Sequence, residues 1–464
     1  MTSPGMQAAR QLFGTDGIRG IAGEYPLNPA TVFAIGRALG ARLKRGDANA
    51  RVVFGQDTRE SSAWISETLA RGLMESGVAF ASAGVLTTPG VAYLTRTHGF
   101  AAGIVVSASH NPWRDNGIKL FGPDGMKLAD AIEHEIETEI FSHIAELAGS
   151  HGKPTDDSHD VLPGDAKLRD DYVQWLSTNV DTKAVRGMRV LVDCANGAAT
   201  SVAPELFRLC GIEGEYLHVH PDGRNINDGC GALHPEHVAQ QVAASNGHYL
   251  LGITFDGDAD RALFSDARGR VVNGDAVMLL AARDMKKRAL LKRDTVVATT
   301  MSNMGLEKAL RSEGVHMLRA NVGDKYVLEQ MLKTGATLGG EQSGHILFMD
   351  GESTTGDGLL TALRVLDIVA RSGKMLHELV SDLKDFPQVI RNVKVREKLP
   401  MEKLPEVMQA IRAAEAELDG NGRVLVRYSG TEQLARVMIE AESESLTKKH
   451  VEAIAGALER EIGA

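Results

Sequence analysis

Short apolar, β-branched runs alternate with helical patterns along most of this chain. RVVF (51–54) precedes a helix-like stretch from about Ser61 to Met74, and VAFASA (78–83) and GIVVSA (103–108) follow. RVLVD (189–193), YLLGITF (249–255), TVVATT (295–300) and HMLRA (316–320) continue the series, each before a helical pattern or a polar loop. Strands alternating with helices specify βαβ units and mostly parallel sheets. The ligand side of such sheets is the carboxyl end of the strands, so loops there are where chemistry is expected.

At roughly 100–200 residues per domain, 464 residues suggest three or four domains. A polar stretch, HGKPTDDSHDVLPGD (151–165), reads as a linker after the first. Further boundaries are expected near Asp266–Gly269 and Lys384–Pro387. The expected domains are 1–158, 159–265, 266–384 and 385–464, the last a smaller α+β unit read as strand, helix, strand, helix.

Bulk chemistry excludes several classes. The formal net charge of -10 disfavours a non-specific nucleic-acid binder. An anionic small substrate would need a local cluster of Lys and Arg. The three cysteines, Cys194, Cys210 and Cys230, show no metal-type spacing, which fits a reducing compartment and argues against zinc. No apolar run approaches a membrane span and MTSPGMQAARQ lacks a leader pattern, so a cytoplasmic protein without membrane partners is expected. The chain has no G-x-x-x-x-G-K-[ST] and no H-E-x-x-H, and the glycines of GTDGIRG (14–20) are wrongly spaced for a dinucleotide fingerprint.

Four strand-end segments carry candidate chemistry. In FDGDADR (255–261), Asp256, Asp258 and Asp260 offer three hard oxygen donors suited to Mg²⁺ or Ca²⁺. An EF-hand fails, because its sixth position would be Arg261 and its twelfth Ala267. A solvated acidic turn is the competing reading, and position at a strand end favours a metal. In GIVVSASHNPWRDNGIK (103–119), Ser109 lies where a nucleophile is expected. It equally suits a turn serine bonded to its own loop. Adjacent side chains diverge, so His110 implies no dyad with it. In VRYSGTEQLARVMIE (426–440), Arg427, Ser429, Gly430, Thr431 and Arg436 suit a phosphate dianion, against the plainer reading of a hairpin with a surface arginine. GGEQSGH (339–345) offers Glu341, Ser343 and His345 for polyol recognition. Arg19 and Lys119 are further basic residues beside these motifs.

Taken together and in order, these motifs resemble the α-D-phosphohexomutase family from about Phe13 to Glu440. The resemblance implies three similar mixed-sheet α/β domains plus a smaller C-terminal α+β domain around a central cleft. It implies a phosphoserine at Ser109 and one Mg²⁺ per chain on Asp256, Asp258, Asp260 and a Ser109 phosphoryl oxygen. Arg19, Lys119 and Arg261 would stand beside the reacting group, with Lys119 a proton-transfer partner. Glu341, Ser343 and His345 would bind the sugar. Arg427, Ser429, Gly430, Thr431 and Arg436 would hold the other phosphate. Gln433 stands where the family has proline, so that loop lacks a fixed φ. Gln342 and PDGRNINDGCGALHPE (221–236) resemble the bacterial amino-sugar branch. That branch implies interconversion of glucosamine 6-phosphate and glucosamine 1-phosphate through a glucosamine 1,6-bisphosphate, supplying UDP-N-acetylglucosamine and cell-wall precursors. The alternative is a mutase of glucose or mannose phosphates on the same scaffold. A homodimer is a further expectation from the family.

Overall fold

The computed structural model describes residues 12–14, 16–149, 162–429 and 433–464. The expected linker at 151–165 therefore lies largely outside the described residues, as do Gly430 and Thr431. Two compact units form: residues 1–301 with 317–380, and residues 302–316 with 381–464.

The larger unit contains three mixed sheets. The first orders its strands Phe13–Gly14, Gly17–Ile21, Asp115–Phe121, Ala102–Val106, Arg51–Gln56 and Ala79–Val85. The second runs Val271–Val272, Ala262–Ser265, Leu251–Phe255, Arg189–Asp193 and Glu213–Leu217. The third runs His316–Ala320, Thr295–Thr299, Leu338–Gly340 and Ile346–Phe348. Ala102–Val106 and Leu251–Phe255 are buried at every position, as continuous apolar strands covered on both faces must be.

The expectation of mostly parallel sheets needs correction. Each sheet has a parallel core joined to an antiparallel neighbour. Val106 pairs with Ile118, Phe255 with Ala262, and Gly340 with Ile346 across antiparallel ladders. In each case the chain leaves a parallel strand, makes a polar loop and returns beside itself. The Ser109 loop, the aspartate loop and the GEQSGH loop are thus the same structural position in three sheets. The turn at 266–269 also joins two strands of one sheet, Ala262–Ser265 and Val271–Val272, so the second sheet continues to Val272.

Helix starts follow local chemistry. Asn28 caps the helix Pro29–Gly46 by accepting from Thr31 N–H, with Pro29 in the first turn. Asp357 caps Gly358–Ser372 the same way through Leu360 N–H.

In the smaller unit an antiparallel sheet orders Gln388–Lys394, Leu434–Ala441 and Gly422–Tyr428, with the helices Pro405–Leu418 and Glu444–Ile462 packed in its core. The expected strand, helix, strand, helix order gains a strand. Gly422–Tyr428 and Leu434–Ala441 form a hairpin in which Tyr428 pairs with Ala435. No helix among the described residues is long and apolar enough to cross a membrane.

Candidate active site

The buried strand Ala102–Val106 delivers the Ser109 loop. Ser109 is 1% exposed and adopts φ 53°, a left-handed conformation that costs a non-glycine residue on the order of 1–3 kcal/mol. The surroundings hold it there. Its N–H donates to Ser107 Oγ at 3.0 Å. Its carbonyl accepts from Arg59 Nη2 at 3.2 Å and from Asn227 Nδ2 at 2.9 Å. The same two side chains donate to the Asn111 carbonyl at 2.6 and 3.2 Å. Arg59 is ion-paired to Asp57, which also accepts from Ser107 Oγ at 2.6 Å and Ser62 Oγ at 2.8 Å. Ser109 Oγ itself donates to Asp256 Oδ2 at 2.5 Å. His110 Nδ1 lies 3.4 Å from the same hydroxyl, a long contact beside the short one to Asp256.

The aspartate loop lies directly against the serine loop. A Cβ at Gly257 would stand 2.5 Å from the Ser109 carbonyl oxygen, so only glycine lets the two backbones meet. Asp256, Asp258 and Asp260 are each at most 4% exposed, and one oxygen from each lies within 4.8 Å of the others. Burial pushes the Asp256 carboxyl well above its ordinary range, and repulsion from Asp260 and Asp258 pushes it further. Burial acts the same way on Asp260, but Lys119 and His345 hold that carboxyl well below its ordinary range. Asp258 Oδ1 is buried and accepts no hydrogen bond. Three crowded carboxylates with an unfilled oxygen fit a small hard cation, and the donor set suits Mg²⁺.

Cations surround the loop. Lys119 Nζ lies 2.8 Å from Asp258, 3.4 Å from Asp260 and 3.1 Å from Asp16. Burial opposes its charge, but these three carboxylates raise its pKa well above the ordinary value, so Lys119 is a buried ammonium. Lys127 bridges Asp16 to Asp324, the latter at 2.5 Å. Arg19 contacts Asp16 at 2.5 Å. The Arg261 backbone N–H donates to Asp256 Oδ1 at 3.1 Å, and its guanidinium Nε lies 3.8 Å from Asp260 Oδ1.

Some of these groups, Asp16, Arg19, Asp260, Arg261 and Asp324, line one open cavity of about 380 Å³. The first sheet contributes Asp16, Arg19 and His110, the second Asp260 and Arg261, and the third Asp324, Glu341 and His345. Burial, then Arg261 and Arg19, depress His110 to about 4, so its ring is neutral. Burial opposes protonation of His345, yet Asp260 and Asp324 lift it to about 9.

The GEQSGH residues divide. Glu341 faces the cavity and accepts from Gly323 N–H at 3.0 Å. Ser343 is turned onto Glu341 Oε2 at 3.3 Å. His345 is buried, with its ring nitrogens 3.5 Å from Asp260 and 3.6 Å from Asp324. Gln342, tied by resemblance to the amino-sugar branch, points its amide at Asp275 Oδ2, 3.4 Å away, and is not among the cavity-lining residues.

In the smaller unit, Arg427 and Arg436 are direct cross-strand partners. Like charges placed opposite one another are destabilising, which an anion between them would relieve. Lys398 Nζ donates to the Ser429 carbonyl at 2.7 Å, adding a third cation near that turn.

Sequence reading missed Asp16, Asp57, Arg59, Thr88 and Asn227. Thr88 Oγ1 donates to Asp258 Oδ2 at 2.5 Å. Asp57 and Arg59 directly follow the strand Arg51–Gln56, so the strand-end criterion that singled out Ser109 also applies to them. Asp16 and Asn227 stand inside GTDGIRG and the 221–236 segment, and nothing local marks either as a partner of a distant loop.

Comparison with known proteins agrees with this arrangement. Family models described as phosphoglucomutase/phosphomannomutase alpha/beta/alpha domains I, II and III match residues 10–146, 170–269 and 273–386, and the C-terminal domain of the same family matches 391–457. A phosphoglucosamine mutase of Koribacter versatilis is 66% identical over 464 residues, covering 100% of both chains. One of Solibacter usitatus is 49% identical, covering 98% of this chain and 100% of its own. The crystal structure of a phosphoglucomutase/phosphomannomutase family protein from Burkholderia thailandensis superposes with a TM-score of 0.76 at 24% identity, covering 97% of this chain and 99% of that one. Four matching domains in order, and full-length identity of this extent, mean that the chain belongs to the phosphoglucomutase/phosphomannomutase family, the α-D-phosphohexomutases.

Proposed function

We propose that this chain is a phosphoglucosamine mutase, interconverting glucosamine 6-phosphate and glucosamine 1-phosphate through phosphorylated Ser109 and a glucosamine 1,6-bisphosphate. The observation that carries the reading is the Ser109 hydroxyl held against Asp256 beside the cation-lined cavity, in a chain 66% identical to a relative of that name.

In the first half-reaction the phosphoryl group leaves Ser109 Oγ for the free sugar hydroxyl. The P–O bond to serine breaks, the P–O bond to the sugar forms, and the hydroxyl proton ends on Ser109. Lys119, held as a buried ammonium, is the group we assign to relay that proton, giving one to the departing serine oxygen and taking up the one the sugar hydroxyl loses. Arg19 and Arg261 offset charge on the transferring group, since such transfer depends on positioning and charge stabilisation. A phosphoryl group on Ser109 adds roughly two negative charges beside Asp256. Mg²⁺ held by Asp256, Asp258, Asp260 and a Ser109 phosphoryl oxygen would neutralise that charge. Ser109 is 1% exposed, which limits the access of water to a phosphoryl group there and so suppresses a phosphatase side reaction. Glu341, Ser343 and His345 are assigned to the sugar side. The bisphosphate then reverses in the site and returns its other phosphate to Ser109.

Arg427, Ser429 and Arg436 are assigned to the non-reacting phosphate. The Arg427–Arg436 pairing supports this. Arg427→Ala should lower kcat/KM by roughly 10- to 150-fold, the worth of a charge-assisted hydrogen bond of ~1.5–3 kcal/mol. Remote binding energy serves orientation, so kcat should fall as well as KM rise, with more inorganic phosphate released. Steady-state kinetics with phosphate detection measures both, and an unchanged kcat/KM removes this hairpin from the site.

A coupled assay comparing glucosamine, glucose and mannose phosphates tests the substrate. The expected result is a preference for glucosamine phosphates, since sites that pair with a polar group reject the analogue lacking it by up to ~10⁴-fold. Equal or better kcat/KM on glucose 1-phosphate assigns the chain to the glucose and mannose branch instead. A cytoplasmic location and a homodimer complete the proposal.

A further inference from the structure

A second group of side chains converges at the carboxyl edge of the second sheet, apart from the cavity-lining residues. Asp193 ends the strand Arg189–Asp193, and His218 follows its parallel neighbour Glu213–Leu217. Cys230 comes from the loop ahead of the helix Pro235–Ala244. One ligand atom from each of the three lies within 4.8 Å of the others. Among the described residues the other such convergence of His, Cys, Asp and Glu is the aspartate triad itself.

The details point to a shared ligand. Asp193 and Cys230 are fully buried, while the His218 side chain is 37% exposed, so the group opens to solvent on one side. His218 Nδ1 is buried and lies 3.0 Å from Asp193 Oδ1, yet the two make no hydrogen bond. A ring nitrogen and a carboxylate oxygen this close, but not aligned on each other, can both face a common third atom. Asp193 keeps lone pairs to spare, although its oxygens accept from Ala195 N–H at 2.8 Å and Gly231 N–H at 3.0 Å.

We propose that Asp193, His218 and Cys230 form a second divalent-metal site, distinct from the aspartate triad and selective for a zinc-class ion. One oxygen, one imidazole nitrogen and one sulfur are borderline-soft donors that Mg²⁺ does not favour and Zn²⁺ does. Solvent from the exposed His218 side supplies the fourth position of a tetrahedron. On binding, the Cys230 S–H bond breaks, its proton goes to solvent, and the sulfur bonds the metal. Asp193 and His218 contribute lone pairs, so one proton leaves per ion.

The role is architectural. The segment between His218 and Cys230 contains Asn227, whose side chain donates to the carbonyl of Ser109. Asn227 N–H in turn donates to the Ala195 carbonyl at 3.0 Å. A metal at this sheet edge fastens both ends of the segment that steadies the serine loop. It also revises the expectation, drawn from cysteine spacing alone, that the chain has no zinc site. The three ligands are scattered over positions 193, 218 and 230, a spacing that matches no short motif.

The test uses the full chain, stripped with EDTA, kept reduced, and titrated with Co²⁺ alone. The expected result is one equivalent of cobalt that produces a thiolate-to-cobalt charge-transfer absorption in the near ultraviolet and is displaced by Zn²⁺. Cys230→Ser should abolish the absorption, whereas Cys194→Ser and Asp258→Asn should keep it. His218→Ala, a change at a partly exposed side chain, should weaken cobalt binding there by at least the roughly 10- to 100-fold that outer partners of a metal site cost. No charge-transfer absorption at saturating Co²⁺ in the unaltered chain overturns the proposal. So does an absorption that survives Cys230→Ser. Should that variant not fold, an unchanged cobalt affinity in His218→Ala is the overturning result.

Discussion

Ser109→Ala should lower mutase turnover by several orders of magnitude while leaving the fold intact. Enzymes supply on the order of 10 kcal/mol or more of barrier lowering, and removing a covalent relay forfeits the route through which that lowering acts. The structural cost is smaller. Alanine keeps the backbone contacts of Ser109 with Arg59, Asn227 and Ser107, which do not involve the hydroxyl. It loses the bond to Asp256, and a buried acceptor left short of a partner costs about 1–3 kcal/mol. Turnover measured beside a thermal melt separates the two effects. A variant that keeps a tenth of the original rate would show that Ser109 is not the relay.

The second large effect is expected from the metal. EDTA-treated protein should be inactive and recover with Mg²⁺, and Asp258→Asn should lose metal affinity and activity together. A bound cation is worth several kcal/mol of charge stabilisation in a phosphoryl transfer, hence roughly 10²–10³-fold or more in rate. The amide keeps the shape of Asp258 but removes the charge facing Lys119 at 2.8 Å. Breaking a buried ion pair costs up to ~3–5 kcal/mol, so a lower melting temperature should accompany the loss. A Mg²⁺-dependent thermal shift, present in the original chain and absent in the variant, reports binding independently of activity. Full-rate turnover after chelation refutes the assignment.

The aspartate loop was legible because its chemistry is local. Three carboxylates in five residues demand a counter-charge wherever they fold, and the strand before them places them at a sheet edge. Ser109 was less so. S-A-S-H-N-P suits a turn serine as well as a nucleophile, and what distinguishes them lies elsewhere in the chain. Asp256 is 147 residues from Ser109, and Asn227 is 118. Gln342 is the converse case, a residue whose branch the relatives share but whose placement the sequence did not show. Its motif resembles a specificity element, but packing of its loop on the helix Gly274–Lys287 directs the amide to Asp275.

By itself, then, the sequence determined the α/β class, the order of the motifs and the family, because strand periodicity and short polar loops are properties of neighbouring residues. Tertiary structure decided the rest. It made the serine, aspartate and GEQSGH loops equivalent by returning each chain segment antiparallel to its own strand, a pairing that leaves no signature of three matching sequences. It drew Arg59, itself paired with Asp57, and Asn227 onto one carbonyl and set Lys119 among Asp16, Asp258 and Asp260. The Asn227 contact and the pairs of Lys119 with Asp258 and Asp260 join residues of different sheets, and burial makes the charges strong. Neither the pairing nor the burial exists until the sheets have packed.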